Sequence, residues 1–261
     1  MQLKFSAVKN NGKSGGLTIP VSGTGGDWII KLPPARRPDV PENEFAAMNL
    51  AAGLGIEVPE TDLISIDAVD GLPEGIIRYG ASACAIRRFD RSDDGAVHIE
   101  DFAQLFGVFS EEKYENATYR QKLKVLAIET DENSVVEFIR RLTYSVLIGN
   151  GDMHLKNWSL IYPDGRRPTL SPAYDLISTV AYVPEEDSGL KFHHSSEWRS
   201  FNYDELALIA DKAKVPTRLV IDTAKTTVER FDDTWSREKT NLPFSRDVID
   251  AIEKHRKTLA I

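Results

Sequence analysis

Sulfur is scarce in this 261-residue chain, and basic residues are outnumbered by acidic ones. A single cysteine, Cys84, rules out an intramolecular disulfide framework. Because Cys84 lies in an apolar run at residues 83–86, we predict that it packs in the core and is not a nucleophile. Acidic residues outnumber basic ones by 40 to 32, which gives a formal net charge of −8. Direct binding of nucleic acid is therefore not expected, because phosphate contacts need a basic face.

Long hydrophobic runs are also missing. No apolar segment approaches the roughly 18 residues that a membrane helix needs, and the first residues, MQLKFSAVKNNGK, lack the apolar segment of a signal peptide. We therefore expect no membrane partner and a cytoplasmic location. The composition, 41% hydrophobic and 28% charged, is that of a globular protein with a core. A chain of this length can form one large domain or two small lobes around a cleft.

Strand patterns dominate the first ninety residues, and helical patterns dominate after about residue 95. Strands are predicted at residues 3–8, 17–21, 28–32, 63–66 and 83–89, with one helix at 42–54 that Gly55 ends. Helices are predicted at residues 99–106, 134–148, 203–214, 216–235 and 245–259. The polar segment at 90–95 separates the two parts. We predict an α+β protein with a β-rich region at residues 1–92 and a larger helical region at 93–261.

The strongest functional signal is an aspartate followed five residues later by an asparagine, Asp152 and Asn157. Protein kinases use this spacing for the catalytic base and a metal-binding asparagine. Asp152 suits the base, Asn157 offers an amide oxygen to Mg²⁺, and Lys156 can steady the transferring phosphate. On the pair alone, a turn in which both side chains cap backbone groups explains the pattern equally well.

Asp175 shifts the balance towards a metal site. A strand at residues 158–162, a Pro-Asp-Gly turn at 163–165 and a returning segment at 168–170 predict a hairpin. Such a hairpin brings Asp175 back beside Asn157, so that two oxygen ligands meet. The alternative is that Asp175 caps a helix beginning at Leu176.

Lys31 is the candidate for the opposite wall of the cleft. It lies in an apolar strand, where an unpaired ammonium group would be costly to bury. Glu44, near the start of the following helix, is a suitable partner, and kinases use such a pair to aim the lysine at the α- and β-phosphates. The alternative is a lysine on the outer face of the strand and a solvated glutamate.

Several other patterns are weaker. The Gly-Lys-Ser sequence at residues 12–14 lacks the first glycine of a phosphate-binding loop and precedes a strand, and the glycine-rich segment at 23–26 also precedes a strand. Both are interpreted as hairpin turns. The His193–His194 pair has no neighbouring set of metal ligands, and His154 is expected to order the Asp152 loop by hydrogen bonding.

Five segments together resemble the HipA family of toxin kinases. They are GNGDMHLKN at 149–157, LSPAYDLIS at 170–178, IIKLP at 29–33, ENE at 42–44 and RFDR at 88–91, and they occur in the family's order. The resemblance implies a two-lobed, protein-kinase-like α+β fold, with a small β-rich N-lobe and a larger helical C-lobe. It also implies that ATP and Mg²⁺ bind in the cleft between the lobes.

Carried over position by position, the resemblance makes Lys31 the phosphate-contacting lysine and Asp152 the catalytic aspartate. Asn157 and Asp175 become the metal ligands. Arg87, Arg88 and Phe89 fall where the adenine-side hinge of the family lies. An acidic residue often precedes the Arg-Phe-Asp-Arg run in the family, whereas this chain has Arg87, so adenine contacts there are expected to use backbone groups.

The resemblance further implies a serine/threonine protein kinase of a bacterial toxin–antitoxin system. Members of the family typically phosphorylate an aminoacyl-tRNA synthetase, and a helix-turn-helix antitoxin, HipB, restrains them. Nucleic acid is then expected as a partner only through the antitoxin.

The phosphate loop departs from the family pattern. The family reads approximately Ser-x-x-Gly-x-Gln-x-Lys, and this chain begins at Met1 and matches only the last part, with Gln2 and Lys4 expected at the edge of the cleft. We expect a short, HipT-like form, a truncated HipA, or a loop completed by a small separate N-subdomain protein. Two alternatives stay open, namely a kinase-fold binding module with impaired catalysis and a small-molecule kinase of related fold.

Overall fold

A computed structural model describes residues 2–10, 16–20, 25–76, 79–92, 94–109, 112, 114 and 117–261. In the N-terminal part, six strands form one sheet. They are β1 (Lys4–Lys9), β2 (Leu17–Thr18), β3 (Trp28–Lys31), β4 (Thr61–Ser65), β5 (Val69–Asp70) and β6 (Ser82–Arg87), and their order across the sheet is β4-β6-β3-β1-β2-β5. All neighbours are antiparallel except β2 and β5.

The register of the sheet places Lys31 at the end of the inner strand β3. Lys31 pairs with Lys4 on one side and with Cys84 on the other. Apolar side chains of β1, β3 and β6 pack on one face, where Ala7, Ile30 and Ala85 have no exposed surface. Cys84 is fully buried, as predicted. Lys31 therefore leaves the sheet at a point where water has little access.

Helix α1 (Val40–Gly53) packs against β4 and β6 and ties the sheet to the rest of the chain. Its proline at the first turn suits a helix start, since the missing N–H has no intrahelical partner there. Beyond its C-terminus Gly55 has a φ of +79°, a left-handed conformation that favours glycine. The Tyr144 hydroxyl donates to the Ala47 carbonyl at 2.6 Å, so α1 is bonded directly to the helical lobe.

The C-terminal part is mainly helical. Its helices are α2 (Phe102–Phe106), α3 (Tyr119–Glu129), α4 (Glu132–Leu147), α5 (Tyr203–Ala213), α6 (Thr217–Glu238) and α7 (Arg246–Arg256). Two strands, β7 (Arg91–Ser92) and β8 (Gly95–Ala96), form a hairpin between the two parts, and β9 (His98–Asp101), β10 (Ser159–Tyr162) and β11 (Thr169–Leu170) form a second sheet. Helix α4 is the central element of this part, because it contributes buried side chains to two hydrophobic clusters, one of which also contains residues of α1.

The sequence-based predictions for the helical part need two corrections. The predicted helix at residues 99–106 is wrong in its first three residues, because β9 runs to Asp101 and pairs with β10. Asp101 then begins α2 through a capping box with Gln104. Helix α3 was not predicted, since its polar sequence, YRQKLKVLAIE, shows only a weak apolar stripe.

The structure does not test two other sequence-based predictions, namely the two turns and the boundary between the two regions. Residues 11–15 and 23–24, on which two predicted turns depend, lie outside the described residues. The division at residue 92 stays a prediction. Among the described residues, no helix is both long and apolar enough to cross a membrane.

Candidate active site

Lys31 forms a buried ion triad with two carboxylates. Its side chain is 5% exposed, and its ammonium group donates to Glu44 on α1 and to Asp175 on the far side of the cleft. Lys4 of the neighbouring strand approaches the second Asp175 oxygen at 3.8 Å. The alternative of an outward-facing lysine and a solvated glutamate is therefore wrong. The triad joins the sheet, helix α1 and the helical lobe at a single point.

The electrostatics of the triad follow from this burial. Burial by itself would raise the pKa of the Asp175 carboxyl, but the ammonium groups of Lys31 and Lys4 lower it to about 2. Burial opposes the charged form of Lys31, yet Asp175 and Glu44 raise its pKa above the usual range. For Glu44, burial outweighs the attraction of Lys31, and the pKa is raised. Lys31 is thus a firmly charged centre that two carboxylates depend on.

Asp175 reaches the triad through the predicted hairpin. Strands β10 and β11 are antiparallel, with Leu160 opposite Leu170. The chain then runs through residues 171–179 without helix, so Asp175 is not a helix cap. Its φ of 54° is left-handed, a strained conformation for a residue with a side chain. The Asn150 amide donates to its carbonyl at 3.4 Å and helps to hold it.

Asp152 lies in a loop that begins where α4 ends. The loop turns at Gly149, whose φ of +64° suits glycine. The backbone N–H of Asp152 donates to Asn150 Oδ1 at 3.2 Å, and the Asn157 side-chain amide donates to the Asp152 carbonyl at 2.7 Å. These bonds leave the Asp152 carboxylate facing the cleft, where it accepts a hydrogen bond from the Tyr114 hydroxyl.

The predicted residues meet at one cavity. A cavity of about 690 Å³, here called the charged cavity, brings together residues from both lobes. Its lining includes nine of the twelve predicted site residues, namely Gln2, Lys4, Lys31, Glu44, Asp152, His154, Lys156, Asn157 and Asp175. The spacing of Asp152 and Asn157 therefore does more than close a turn. It places a carboxylate and an amide on the same cavity as the buried triad.

The other three predicted residues line an adjoining cavity. This second space of about 310 Å³, here called the aromatic cavity, is lined by Arg87, Arg88 and Phe89 together with Ile29, Ile86, Ile99 and Tyr174. The Arg88 guanidinium is held by Asp90 at 2.6 Å, and exposed Arg87 lies 3.6 Å from Glu60. Both arginines are thus engaged by carboxylates. The apolar side chains offer a flat slot between the strands and Tyr174.

Three residues of the site were not anticipated from the sequence. Tyr174 packs its ring 5.5 Å from that of Phe89, and Thr179 Oγ1 accepts from the Gly151 N–H at 2.6 Å. Tyr174 directly precedes Asp175, and Thr179 directly follows the segment at 170–178. Their nearness to these motif residues could have identified both. Tyr114 gave none, because it lies 38 residues before Asp152 in an unpatterned segment.

The chemistry of the donor set fits Mg²⁺. Asn157 uses its N–H₂ group inside the loop, which leaves its amide oxygen for a cation, and Asp175 supplies an ionised carboxylate. Both are the hard oxygen ligands that Mg²⁺ prefers, and the ion usually completes its shell with water and phosphate oxygens. Within the described parts of the chain, no group of three or more His, Cys, Asp or Glu side chains is placed to hold a metal.

The histidines lie where the sequence suggested. His154 precedes the short 3₁₀ helix Leu155–Asn157, with its Nε2 atom 3.7 Å from Asp152 and its ring against that of Tyr114. His154 therefore lies inside the loop, close to Asp152 and against the Tyr114 ring. The His193 and His194 rings lie against each other at a tilt, with 3.9 Å between ring centres, and neither residue lines the charged cavity.

Comparison with known proteins agrees with this geometry. A family model described as the HipA-like C-terminal domain matches residues 1–235. The chain belongs to this HipA-like family. Its sequence is 56% identical to "Putative kinase Y4dM" of Sinorhizobium fredii over 262 residues, covering all of this chain. It is 29% identical over 203 residues to the "Serine/threonine-protein kinase toxin HipA" of Shewanella oneidensis, covering 69% of this chain.

The fold agrees with that of a solved HipA-like protein. The Shewanella oneidensis HipA, solved with HipB and operator DNA, superposes with a TM-score of 0.76 at 23% identity over 98% of this chain. This likeness establishes the two-lobed, kinase-like α+β fold. Protein kinases in general use ATP and Mg²⁺. The chain spans 64% of the length of Y4dM, 43% of the curated Shewanella toxin and 62% of the solved HipA chain.

Proposed function

We propose that this chain transfers the γ-phosphate of ATP to a serine or threonine hydroxyl of a protein. The observation that carries the proposal is the meeting of Lys31, Asp152, Asn157 and Asp175 on the charged cavity. Each of these residues has the type and spacing that phosphoryl transfer requires, and they come from strand β3, the Asp152 loop and the segment after the β10–β11 hairpin. The aromatic cavity adjoins them on the side where a nucleotide base would lie.

In the proposed reaction Asp152 orients the acceptor hydroxyl and takes its proton. The hydroxyl oxygen bonds to the γ-phosphorus, the bond to the bridging oxygen breaks, and ADP leaves. Asn157 and Asp175 would hold Mg²⁺, which would neutralise part of the phosphate charge. Lys31 contacts the α- and β-phosphates, with Glu44 keeping its ammonium group in place. Lys156 steadies the transferring phosphate, and Gln2 and Lys4 lie at the cavity's edge.

Base recognition is assigned to the aromatic cavity. Phe89 and Tyr174 offer aromatic faces for the adenine. Its hydrogen bonds are assigned to backbone groups at residues 87–89 other than the N–H groups of Arg87 and Arg88, which donate to the Glu60 and Asp27 carbonyls at 2.9 and 2.7 Å. The backbone route fits the engagement of both arginine side chains with carboxylates. His154 orders the Asp152 loop.

Label transfer from γ-labelled ATP, with Mg²⁺ and a bacterial lysate, tests the proposal. Asp152→Asn should lower transfer by roughly 10²- to 10⁴-fold, the range for loss of a general base. The matched control is Asp222→Asn, an exposed carboxylate on α6 that should change nothing. Equal transfer by the wild type and Asp152→Asn would refute the mechanism. Binding of ATP and Mg²⁺ without any transfer would favour a kinase-fold binding module instead.

We extend the proposal to the target and the partner. The family suggests an aminoacyl-tRNA synthetase as the phosphorylated protein and a HipB-like helix-turn-helix antitoxin as the restraining partner. Support for the partner is that the solved HipA of similar fold was crystallised with HipB and operator DNA. Phosphoproteomics of cells expressing wild-type or Asp152→Asn protein tests the target. A synthetase site phosphorylated equally in both would remove it as a substrate.

A further inference from the structure

A small buried cavity lies directly behind the candidate metal ligands. It measures about 10 Å³, and both Asn157 and Asp175 belong to its lining. Helix α4 contributes Arg141 and Ser145 to the lining, and Trp158 also lines the cavity. A single water molecule requires a volume of this order, about 10 to 15 Å³. The cavity therefore has room for one small molecule and little else.

Three polar atoms of the lining residues have no hydrogen-bond partner among the described residues. They are Arg141 Nη2, Ser145 Oγ and Trp158 Nε1. All three residues are at least nine-tenths buried, with relative exposures of 3%, 0% and 5%. Buried polar groups are rarely left unpaired, because the loss of hydration is costly. Three such atoms around one cavity point to a shared ligand.

The fold brings these three residues to one cavity and restrains two of the side chains. Arg141 and Ser145 are four residues apart on α4, so they lie on the same face of the helix. Glu137 accepts from Arg141 Nε at 2.8 Å and fixes the guanidinium in place. The Trp158 ring is held against Phe138, with 4.9 Å between ring centres. Neither the Arg141 nor the Trp158 side chain is therefore free to turn away and find solvent.

We propose that this cavity is a binding site for one ordered water molecule, which bridges α4 to the loop of the candidate metal ligands. Arg141 and Trp158 can only donate, and water accepts two such bonds. The water in turn donates to Ser145 Oγ, which completes three bonds, the usual number for a buried water. The chemical match is thus with a ligand that both accepts and donates.

The functional consequence concerns Asp175. Its left-handed φ of 54° persists only if the surroundings hold it, and the Asn150 contact at 3.4 Å is long. A water bound in this cavity, which Asn157 and Asp175 line, restrains the backbone that carries these two candidate metal ligands. Arg141, Ser145 and Trp158 are then positioning residues for the metal site. This consequence rests on the proposed function, whereas the water site itself does not.

High-resolution crystal structures of the wild type and two variants test the site. The wild type should show one spherical peak within hydrogen-bonding distance of all three atoms. Ser145→Ala should weaken or remove that peak. The matched control is Thr143→Val, which removes another buried, unpaired hydroxyl of α4 that does not line the cavity, and the peak should remain. A wild-type cavity without a peak, or an anomalous peak there after a bromide soak, would overturn the proposal.

Calorimetric titration with ATP and Mg²⁺ tests the positioning role without requiring turnover. Ser145→Ala should weaken binding about tenfold, the lower end for loss of a supporting contact behind a metal ligand. Thr143→Val should stay within about twofold of the wild type. If Ser145→Ala fails to fold, Trp158→Phe removes the indole donor instead, with the same expectations. A water peak in a protein that transfers no phosphate would refute only the proposed function. Active protein without the peak would refute only this inference.

Discussion

The walls of the two cavities in the cleft are stabilised by different interactions. The charged cavity depends on a few long-range ion pairs, with Lys31 joined to both Glu44 and Asp175. The aromatic cavity depends on apolar contacts of strands that are already paired, such as Ile29 opposite Ile86. When two carboxylates share one cation, removal of that cation abolishes both ion pairs at once. Removal of one apolar side chain abolishes only its own contacts. The charged cavity should therefore be the more fragile of the two.

Removal of the central cation should have the largest effect. Lys31→Met leaves Glu44 and Asp175 without their shared partner, and breaking a buried ion pair costs about 3 to 5 kcal/mol of unfolding free energy. Urea denaturation measures the loss. Lys4→Met is the control, because its side chain is 49% exposed and should cost little. Adding Glu44→Gln to Lys31→Met should recover part of the loss. Equal losses for the two lysines would contradict the comparison.

Acid should weaken the charged cavity through Asp175. The folded-state pKa of about 2 lies below the ordinary value near 3.9, so its stabilisation is present above about pH 4. It is lost as the pH falls from about 4 through about 2. Between pH 5 and 2 the wild type should lose about 2 to 3 kcal/mol more unfolding free energy than Asp175→Asn. Parallel pH profiles for the two proteins would show that Asp175 is not stabilised in its charged form.

A change in the aromatic cavity should be milder and should also weaken nucleotide binding. Phe89→Ala removes the ring contact with Tyr174, and such an aromatic pair is worth about 0.5 to 1.5 kcal/mol of unfolding free energy. Affinity for ATP with Mg²⁺ should fall by about tenfold or less, because one of the two aromatic faces offered to the base is lost. Calorimetry measures the affinity and urea denaturation the unfolding free energy. Phe109→Ala, on a ring that is 77% exposed, serves as the control. If Phe89→Ala lost as much unfolding free energy as Lys31→Met, the two cavities would not differ in fragility.

The smallest expected effect concerns the entrance to Asp152. The Tyr114 hydroxyl donates a hydrogen bond to the Asp152 carboxylate. In the proposed reaction, the same carboxylate accepts a hydrogen bond from the substrate hydroxyl. Tyr114→Phe keeps the ring beside His154 but removes the competing hydroxyl, so kcat/KM for a protein substrate should rise about two- to tenfold. Tyr79→Phe, another partly exposed tyrosine, is the control. A fall in kcat/KM would mean that Tyr114 assists the reaction.

Much of the site was accessible from the sequence because its residues lie in short, regular patterns. Asp152 and Asn157 share one loop, and the hairpin signal at residues 158–170 correctly returned Asp175 to that loop. The pairing of Lys31 with Glu44 followed from the cost of burying a lysine in an apolar strand. The boundaries of α2 and β9 were less accessible, since the strand character of residues 98–101 depends on pairing with β10 across 58 or more positions in the chain.

Lys122 shows what local pattern cannot reveal. It is fully buried, and its ammonium group lies 4.7 Å from the Trp158 ring centre and 4.9 Å from that of Tyr119. Burial lowers its pKa well below the usual range. Its neighbour Lys124, two residues later in the same polar helix, is exposed. Only the packing of α3 under the Asp152 loop distinguishes the two lysines.

By itself, the sequence determined which residues are candidates for the site in this protein's cleft. Residue types and spacings within single elements are local properties, and these identified the lysine, the two aspartates and the asparagine. The tertiary structure decided which groups share a cavity and which atoms are left without partners. It placed Tyr114 on Asp152 and brought Arg141, Ser145 and Trp158 around one small space. Such meetings depend on how distant elements pack, and packing is set by the whole core and not by any one segment.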